Sequence, residues 1–268
     1  MPAPTVVQGV VLRVEGEGPR TVLFLHGWPD TLQLWDATAA ALVQDGWRCV
    51  RFTLPGFDRS ADAGVAPTLA ELVDRIRAIA EAVSPDAPLT LVLHDWGCVF
   101  GYEFAMRHPQ RVARIVAVDV GDHNSADLAR SLSPTARRQV FAYQIWLAVA
   151  WKIGGAFGDR MTQRMARALR APAHPSTIGA GMNYPYAMRW FGSRGGLKGA
   201  ARVDPACPVL YIYGERKPFM FHSPQWLERL ASRPGSAVRA FPTGHWVMAQ
   251  RPGEFIACVR EWLSAPAS

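Results

Sequence analysis

Leu91-Val92-Leu93-His94-Asp95-Trp96-Gly97-Cys98 decides the reading of this chain: an apolar run ends on one carboxylate, and helix-forming sequence follows at once. Such a pattern is a strand that delivers Asp95 to a sharp strand-to-helix turn. A carboxylate at a buried strand end is costly unless hydrogen-bonded, so its placement calls for a reason. The ordinary alternative is that Asp95 only caps the following helix.

Outward from that turn, short β-branched runs alternate with helix-length segments. Strands are expected at Val22–Leu25, Arg48–Thr53, Leu89–Leu93 and Arg114–Val118, with helices at Leu32–Gln44, Thr68–Val83 and Cys98–Arg107. This rhythm predicts an α/β fold, a mostly parallel sheet with helices on both faces. It breaks near Asp119, where helical sequence rich in Trp and Arg intervenes before the next strand at Val209–Tyr213. Residues 1–120 and 201–268 therefore form the core, and 121–200 an inserted helical cap. A helix at Pro224–Ala231, a strand at Ala237–Phe241 and a helix at Pro252–Leu263 complete the core.

With 268 residues, 49% of them hydrophobic, the chain can bury a substantial core, and one domain with an insertion fits better than two domains. The net charge of +7 comes from scattered arginines such as Arg59, Arg75, Arg107 and Arg114, without the interleaved aromatics of a nucleic-acid surface. Cys49, Cys98, Cys207 and Cys258 have no metal-ligand spacing and are expected as buried free thiols. Met1-Pro-Ala-Pro-Thr5 lacks a basic region followed by an apolar run, which leaves a cytoplasmic location as the expectation. The longest apolar stretch, Phe141–Trp151, contains Gln144 and is too short for a membrane span.

Two further segments carry chemistry. His26-Gly27-Trp28-Pro29 follows an apolar strand and makes a turn that can aim a backbone N–H into a site. Gly244-His245-Trp246 follows the last strand, a loop from which a histidine can lean over the Asp95 turn.

Together these segments resemble the epoxide hydrolases and haloalkane dehalogenases of the α/β-hydrolase fold: His26-Gly-Trp-Pro is similar to the family's HGxP turn, His94-Asp-Trp-Gly to its nucleophile turn, and Gly244-His-Trp to its catalytic histidine loop. The resemblance implies an eight-stranded-type sheet with a helical cap. It implies Asp95 as nucleophile, His245 as base for water, and the N–H groups of Trp28 and Trp96 as an oxyanion hole. His26, Pro29 and Trp246 would face the substrate. A carboxylate suits attack on a saturated carbon and leaves an ester that water can cleave.

The cap separates the two branches. Phe141-Ala-Tyr143-Gln144-Ile-Trp146 resembles the Tyr-Gln pair of soluble epoxide hydrolase, which implies Tyr143 as a donor to the epoxide oxygen with Gln144 and Trp146 beside it. Met182-Asn183-Tyr184-Pro185-Tyr186 resembles the segment carrying the second tyrosine. Tyr184 and Tyr186 both remain candidates there, Tyr186 preferred because Pro185 suits the first position of a helix. A dehalogenase would need halide donors instead: Trp96, with Trp28 at the usual second position and Trp146 or Trp151 in the cap.

One departure stands out. Where the family's acid is expected after Val209–Tyr213, the chain reads Gly214-Glu215-Arg216-Lys217, with Lys217 at the acid position. Some members of the dehalogenase branch carry the acid one strand earlier, which points to Asp119, with Asp122 and Glu215 as alternatives. Leu93 and Cys98 are larger than the small residues usual beside the turn and predict crowding, which leaves open a noncatalytic binding homologue. No metal or organic cofactor is expected. The expected partners are a small apolar substrate and water, with a homodimer left open because Phe141, Trp146, Leu147 and Trp151 make a cap helix apolar around much of its circumference.

Overall fold

A computed structural model of the chain describes residues 5–59 and 66–265; residues 1–4, which carry most of the N-terminal reading, lie outside the described residues. Eight strands, β1 (Thr5–Val7), β2 (Val10–Glu15), β3 (Arg20–Leu25), β4 (Trp47–Arg51), β5 (Leu89–His94), β6 (Val112–Val118), β7 (Val209–Gly214) and β8 (Ala237–Phe241), form one sheet in the order β1-β2-β4-β3-β5-β6-β7-β8. Pairing from β4 through β8 is parallel, whereas β1 and β2 add on antiparallel. These two strands are absent from the sequence expectation, because they are largely half-buried or exposed and their apolar runs are short.

The helices are α1 (Asp36–Gln44), α2 (Leu69–Val83), α3 (Trp96–Arg107), α4 (Ala126–Ser131), α5 (Pro134–Ile153), α6 (Gly155–Ala168), α7 (Tyr184–Phe191), α8 (Pro224–Ala231), α9 (Val247–Gln250) and α10 (Pro252–Ser264). Strand alternation divides the core between the two sheet faces. Val22 and Phe24 of β3 join Leu42 of α1 and Phe255 of α10 in one cluster. Leu23 and Leu25 join Ile76 of α2 and Phe100 of α3 in the other. Central strands buried on both faces read as unbroken apolar runs, which is why they are legible in the sequence.

Between β6 and β7 the chain leaves the sheet for α4 to α7, the stretch expected as a cap. Helix α7 begins at Tyr184, so Pro185 stands one position later than expected. A buried polar thread ties this insertion to the core: the Trp28 indole donates to Asn183 Oδ1 at 2.7 Å, and Asn183 Nδ2 donates to Thr162 Oγ1 at 2.7 Å. Asp122 anchors the near end, accepting from Ser223 N at 2.7 Å and from the Ser223 and Ser125 hydroxyls. Among the described residues no helix is long and apolar enough to cross a membrane. Cys49 and Cys98 are buried free thiols, but Cys207 and Cys258 are only half-buried, at the margins of the packed layers.

The crowding expected from Leu93 is relieved one turn into α3. A Cβ on Gly101 would come within 2.4 Å of Leu93 Cδ2, so Gly101 yields the volume that Leu93 fills. Cys98 packs with its thiol 3.5 Å from the Val118 carbonyl. Gly101→Ala is expected to cost about 1–3 kcal/mol by overpacking. Urea unfolding should show a smaller cost in a Leu93→Val background, since contacting residues couple; equal costs in both backgrounds would show that Leu93 is not what Gly101 accommodates.

Candidate active site

Asp95 joins β5 to α3 with φ 52° and ψ −121°, and its side chain caps no helix N–H. The N-cap alternative therefore has no hydrogen bond behind it, and the strained backbone persists because its surroundings enforce it. Gly27 makes the close approach that does so: a Cβ there would lie 2.4 Å from both Asp95 Cβ and Oδ1. Across this contact the Trp28 N–H donates to Asp95 Oδ1 at 2.7 Å. The Trp96 nitrogen, first in α3 and so without an intrahelical acceptor, lies against Gly27 as well.

His245 comes over the turn from the loop after β8. Its Nε2 is 3.4 Å from Asp95 Oδ2, and its Nδ1 contacts Asp119 Oδ2. Asp119 ends β6, fully buried and at φ 70°. The other oxygen of Asp119 accepts the Gly214 N–H at 3.0 Å and pairs with Lys217 Nζ. The lysine at the expected acid position is thus the counter-ion of the acid on the neighbouring strand. Asp122 is spent on Ser125 and Ser223, and Glu215 is exposed, with its N–H bonded to Phe241 O; it is Asp119 that meets His245 Nδ1.

Burial pushes the Asp119 carboxyl up, but Lys217 and His245 outweigh it and hold it below the usual carboxylate range. Burial works against a charged His245, yet Asp119 and Asp95 raise its pKa to about 9. For Asp95 the opposing burial is overcome by His245, His94 and the Trp28 N–H. At neutral pH the resting arrangement is an imidazolium between two carboxylates.

Beneath it lies a shelf of buried groups. His94 has its pKa pushed down to about 3 by burial, which keeps it neutral, and its Nε2 is 3.3 Å from the His245 carbonyl. The Trp246 indole donates to Asp30 Oδ2 at 2.9 Å, and burial drives that carboxyl up to about 7.

A cavity of about 880 Å³ opens over Asp95 and His245, with Trp28, Tyr143, Tyr186 and Trp246 in its wall. A smaller pocket of about 70 Å³ shares Asp95 and both tyrosines, and adds Trp96 and Gln144. The two phenol rings meet edge-on at 6.2 Å between centroids, and Tyr186 also sets its ring against Trp28 and Trp96. Gln144 donates to the Tyr143 hydroxyl at 2.9 Å while accepting from the Trp190 indole at 2.8 Å. Burial raises both phenols well above the ordinary tyrosine range, and the Asp95 carboxylate adds to the effect. Both are held as neutral donors.

Three expected substrate contacts lie elsewhere. Tyr184 points into the core, stacked on Phe100 and edge-on to Phe57, because the start of α7 sends residues two apart to different sides. His26 is buried, 3.0 Å from Gly27 O and accepting from Leu54 N, so it holds the turn rather than the substrate. Pro29 is buried in the same turn and lines neither space. Of the indoles weighed as halide donors, Trp28 is committed to Asn183 and Trp146 to Met161 O, while Trp151 lines neither space. Trp146 does line the cavity.

Lys217, Met165, Phe219 and Phe221 also line it and were missed. Only Lys217 carried a signal, its presence at an acid position; the others look like ordinary core residues in sequence. Lys217→Met is expected to raise the His245 pKa above about 9, because a nearby cation opposing the imidazolium disappears while both carboxylates stay. Removing one partner of this buried pair should also cost about 3–5 kcal/mol of stability. NMR titration of the His245 ring proton reads the first effect, and an unchanged or lowered pKa would show that Lys217 does not act on the Asp119–His245 pair.

A family model described as alpha/beta hydrolase fold matches residues 20–150. Epoxide hydrolase B of Mycobacterium tuberculosis is 31% identical over 134 residues, 49% of this chain and 37% of that protein. A cis-3-alkyl-4-alkyloxetan-2-one decarboxylase of Shewanella oneidensis is 30% identical over 116 residues, 42% of this chain and 36% of that one. The matched sequence thus spans little more than a third of each of these curated relatives. An epoxide hydrolase from Bacillus megaterium, solved with a naphthyloxy-propanediol product, superposes with a TM-score of 0.73 at 21% identity, covering 97% of this chain and 99% of that one. The epoxide hydrolase of Vigna radiata gives 0.63 at 18% identity, covering 97% and 96%.

Proposed function

On the footing that the chain is an epoxide-hydrolase-like α/β hydrolase, we propose that it opens an apolar epoxide to a diol through an ester on Asp95. The observation that carries this reading is a strained, mostly buried carboxylate facing a His245–Asp119 pair in a cavity walled by two neutral phenols.

In the first step Asp95 Oδ2 attacks an epoxide carbon. The new C–O ester bond forms as the ring C–O bond breaks, and the departing alkoxide takes the proton of Tyr143 or Tyr186. Forming the ester removes the Asp95 charge, one of the two carboxylates that hold the His245 pKa high. His245 then gives up its proton more readily; that proton passes to the tyrosinate and restores the phenol, and the neutral imidazole takes a proton from water. Hydroxide adds to the Asp95 carbonyl carbon while the Trp28 and Trp96 N–H groups hold the oxyanion. Collapse expels the diol oxygen, which takes the proton from His245, and the Asp95 carboxyl then passes its proton to His245, restoring carboxylate and imidazolium. The sum is epoxide plus water to diol.

A haloalkane dehalogenase would use the same nucleophile. Two of its candidate indole donors are already bonded within the protein, which favours the epoxide reading.

His245→Gln is expected to form the ester and fail to hydrolyse it. Intact-protein mass should rise stoichiometrically by the whole substrate with an epoxide, and by the substrate less its halogen with a haloalkane. Peptide mapping should place the adduct on Asp95, with none in an Asp95→Ala background. An adduct elsewhere, or none from a folded variant of an active parent, would overturn the mechanism; a cis-3,4-dialkyl oxetanone assayed alongside would reveal a lactone-directed activity instead.

Tyr143→Phe and Tyr186→Phe should each slow the alkylation step, and the double change should slow it on the order of 100-fold, the loss of about 3 kcal/mol of transition-state stabilisation. Rapid-mixing measurement of ester formation is the check. A double variant that alkylates at the parental rate would reduce both tyrosines to packing.

A further inference from the structure

The net positive charge of the chain lies in its helical insertion. Residues 121–200 contain eleven Arg and Lys against three Asp and no Glu, a formal +8 from 11 − 3, while the whole chain carries +7. Of the eight large apolar side chains exposed among the described residues, six lie between Phe141 and Phe191, their exposure running from 37% at Trp146 to 57% at Phe157.

The two features interleave. The exposed side of α5 carries Phe141, Trp146, Lys152 and Ile153, and that of α6 carries Phe157, Arg160, Arg164 and Arg167. Lys152 lies over the Phe191 ring at 5.6 Å and Arg160 over Phe157 at 5.8 Å. Lys152, Arg160, Arg164 and Arg167 have no carboxylate within ion-pair distance among the described residues, and the one acid of α6, Asp159, is taken by Arg59. The exposed residues that line the large cavity come partly from α5 and the end of α6, with Trp146, Leu169 and Arg170, and partly from core loops, with Arg216, Pro218, Pro242 and Gln250, so one side of its rim adjoins this face.

We propose that this outer face of α5 and α6 seats on an anionic lipid bilayer surface. Aromatic and aliphatic side chains interleaved with cations suit the headgroup boundary, where apolar groups enter the acyl edge and cations meet lipid phosphates. A second copy of the chain is the weaker occupant. A two-fold dimer sets the same patch against itself, and here that would bring two +8 surfaces together. Binding of this kind is peripheral and needs no spanning helix.

The test is co-sedimentation of the full chain with vesicles of phosphatidylcholine alone and of phosphatidylcholine mixed with phosphatidylglycerol, at low and at high salt. The expected result is partition to the anionic vesicles at low salt, on the order of tenfold or more above the neutral ones, and largely reversed by high salt. Two triple variants dissect the face. Arg160→Gln/Arg164→Gln/Arg167→Gln should lose on the order of 100-fold in partition, at roughly fivefold per cation near an anionic surface. Ile153→Gln/Phe157→Gln/Phe191→Gln should weaken partition to the same vesicles, with circular dichroism showing both variants folded. Equal partition to neutral and anionic vesicles, or none to either, would overturn the proposal. So would a parent that ignores vesicles but dimerises through the face, read as a dimer turned monomer by the apolar triple variant. The vesicle readout needs no turnover, so it stands or falls separately from the epoxide chemistry.

Discussion

An imidazole held between two buried carboxylates is the constraint on which the rest of the site depends. His245 reaches Asp95 with one nitrogen and Asp119 with the other, and these groups come from the ends of β8, β5 and β6. Three parallel strands must therefore end at one level, and the sheet register that sets them, with Val92 opposite Val116 and Val116 opposite Leu210, is part of the site. Crowding negative charge there is tolerable because each carboxylate is answered: Asp95 by the Trp28 N–H and His245, Asp119 by Gly214 N–H, His245 and Lys217. A buried carboxylate left without such partners would be destabilising. Lys217 belongs to the same balance, because a cation fits the position after β7 once the acid has moved to β6.

The insertion is held to the core by polar contacts sited beside the reacting groups. The Trp28 whose N–H touches Asp95 sends its indole to Asn183, and Tyr186 stands three residues further along, with its ring on Trp28 and Trp96. The loop that holds Asp95 and the helix that brings a phenol are thus joined through one side chain. Such a buried network is worth keeping only when fully satisfied, and Trp28, Asn183 and Thr162 each have a partner in it. The wall between these polar points carries apolar side chains, among them Trp146, Met165, Phe219 and Phe221, which is consistent with the apolar substrate proposed above.

The strands and helices of the core, the nucleophile turn and the histidine loop were legible in the sequence because each rests on local pattern. Unbroken apolar runs mark strands buried on both faces, and a lone carboxylate after such a run is conspicuous. The same logic made β1 and β2 invisible, since their apolar runs are short and they bury little, and left the apolar cavity wall indistinguishable from core. What only the tertiary structure decided are the relations between distant segments: that Asp119 rather than Asp122 or Glu215 meets His245, that Lys217 pairs with that acid, that Tyr186 and not Tyr184 faces the cavity, and that His26 holds its own turn. Asp119 and Asp122, like Tyr184 and Tyr186, lie close together in the chain and are chemically alike. Composition and spacing cannot separate them, because the choice is made by backbone direction at the end of a strand or the start of a helix, and that direction is set by packing against residues a hundred positions away.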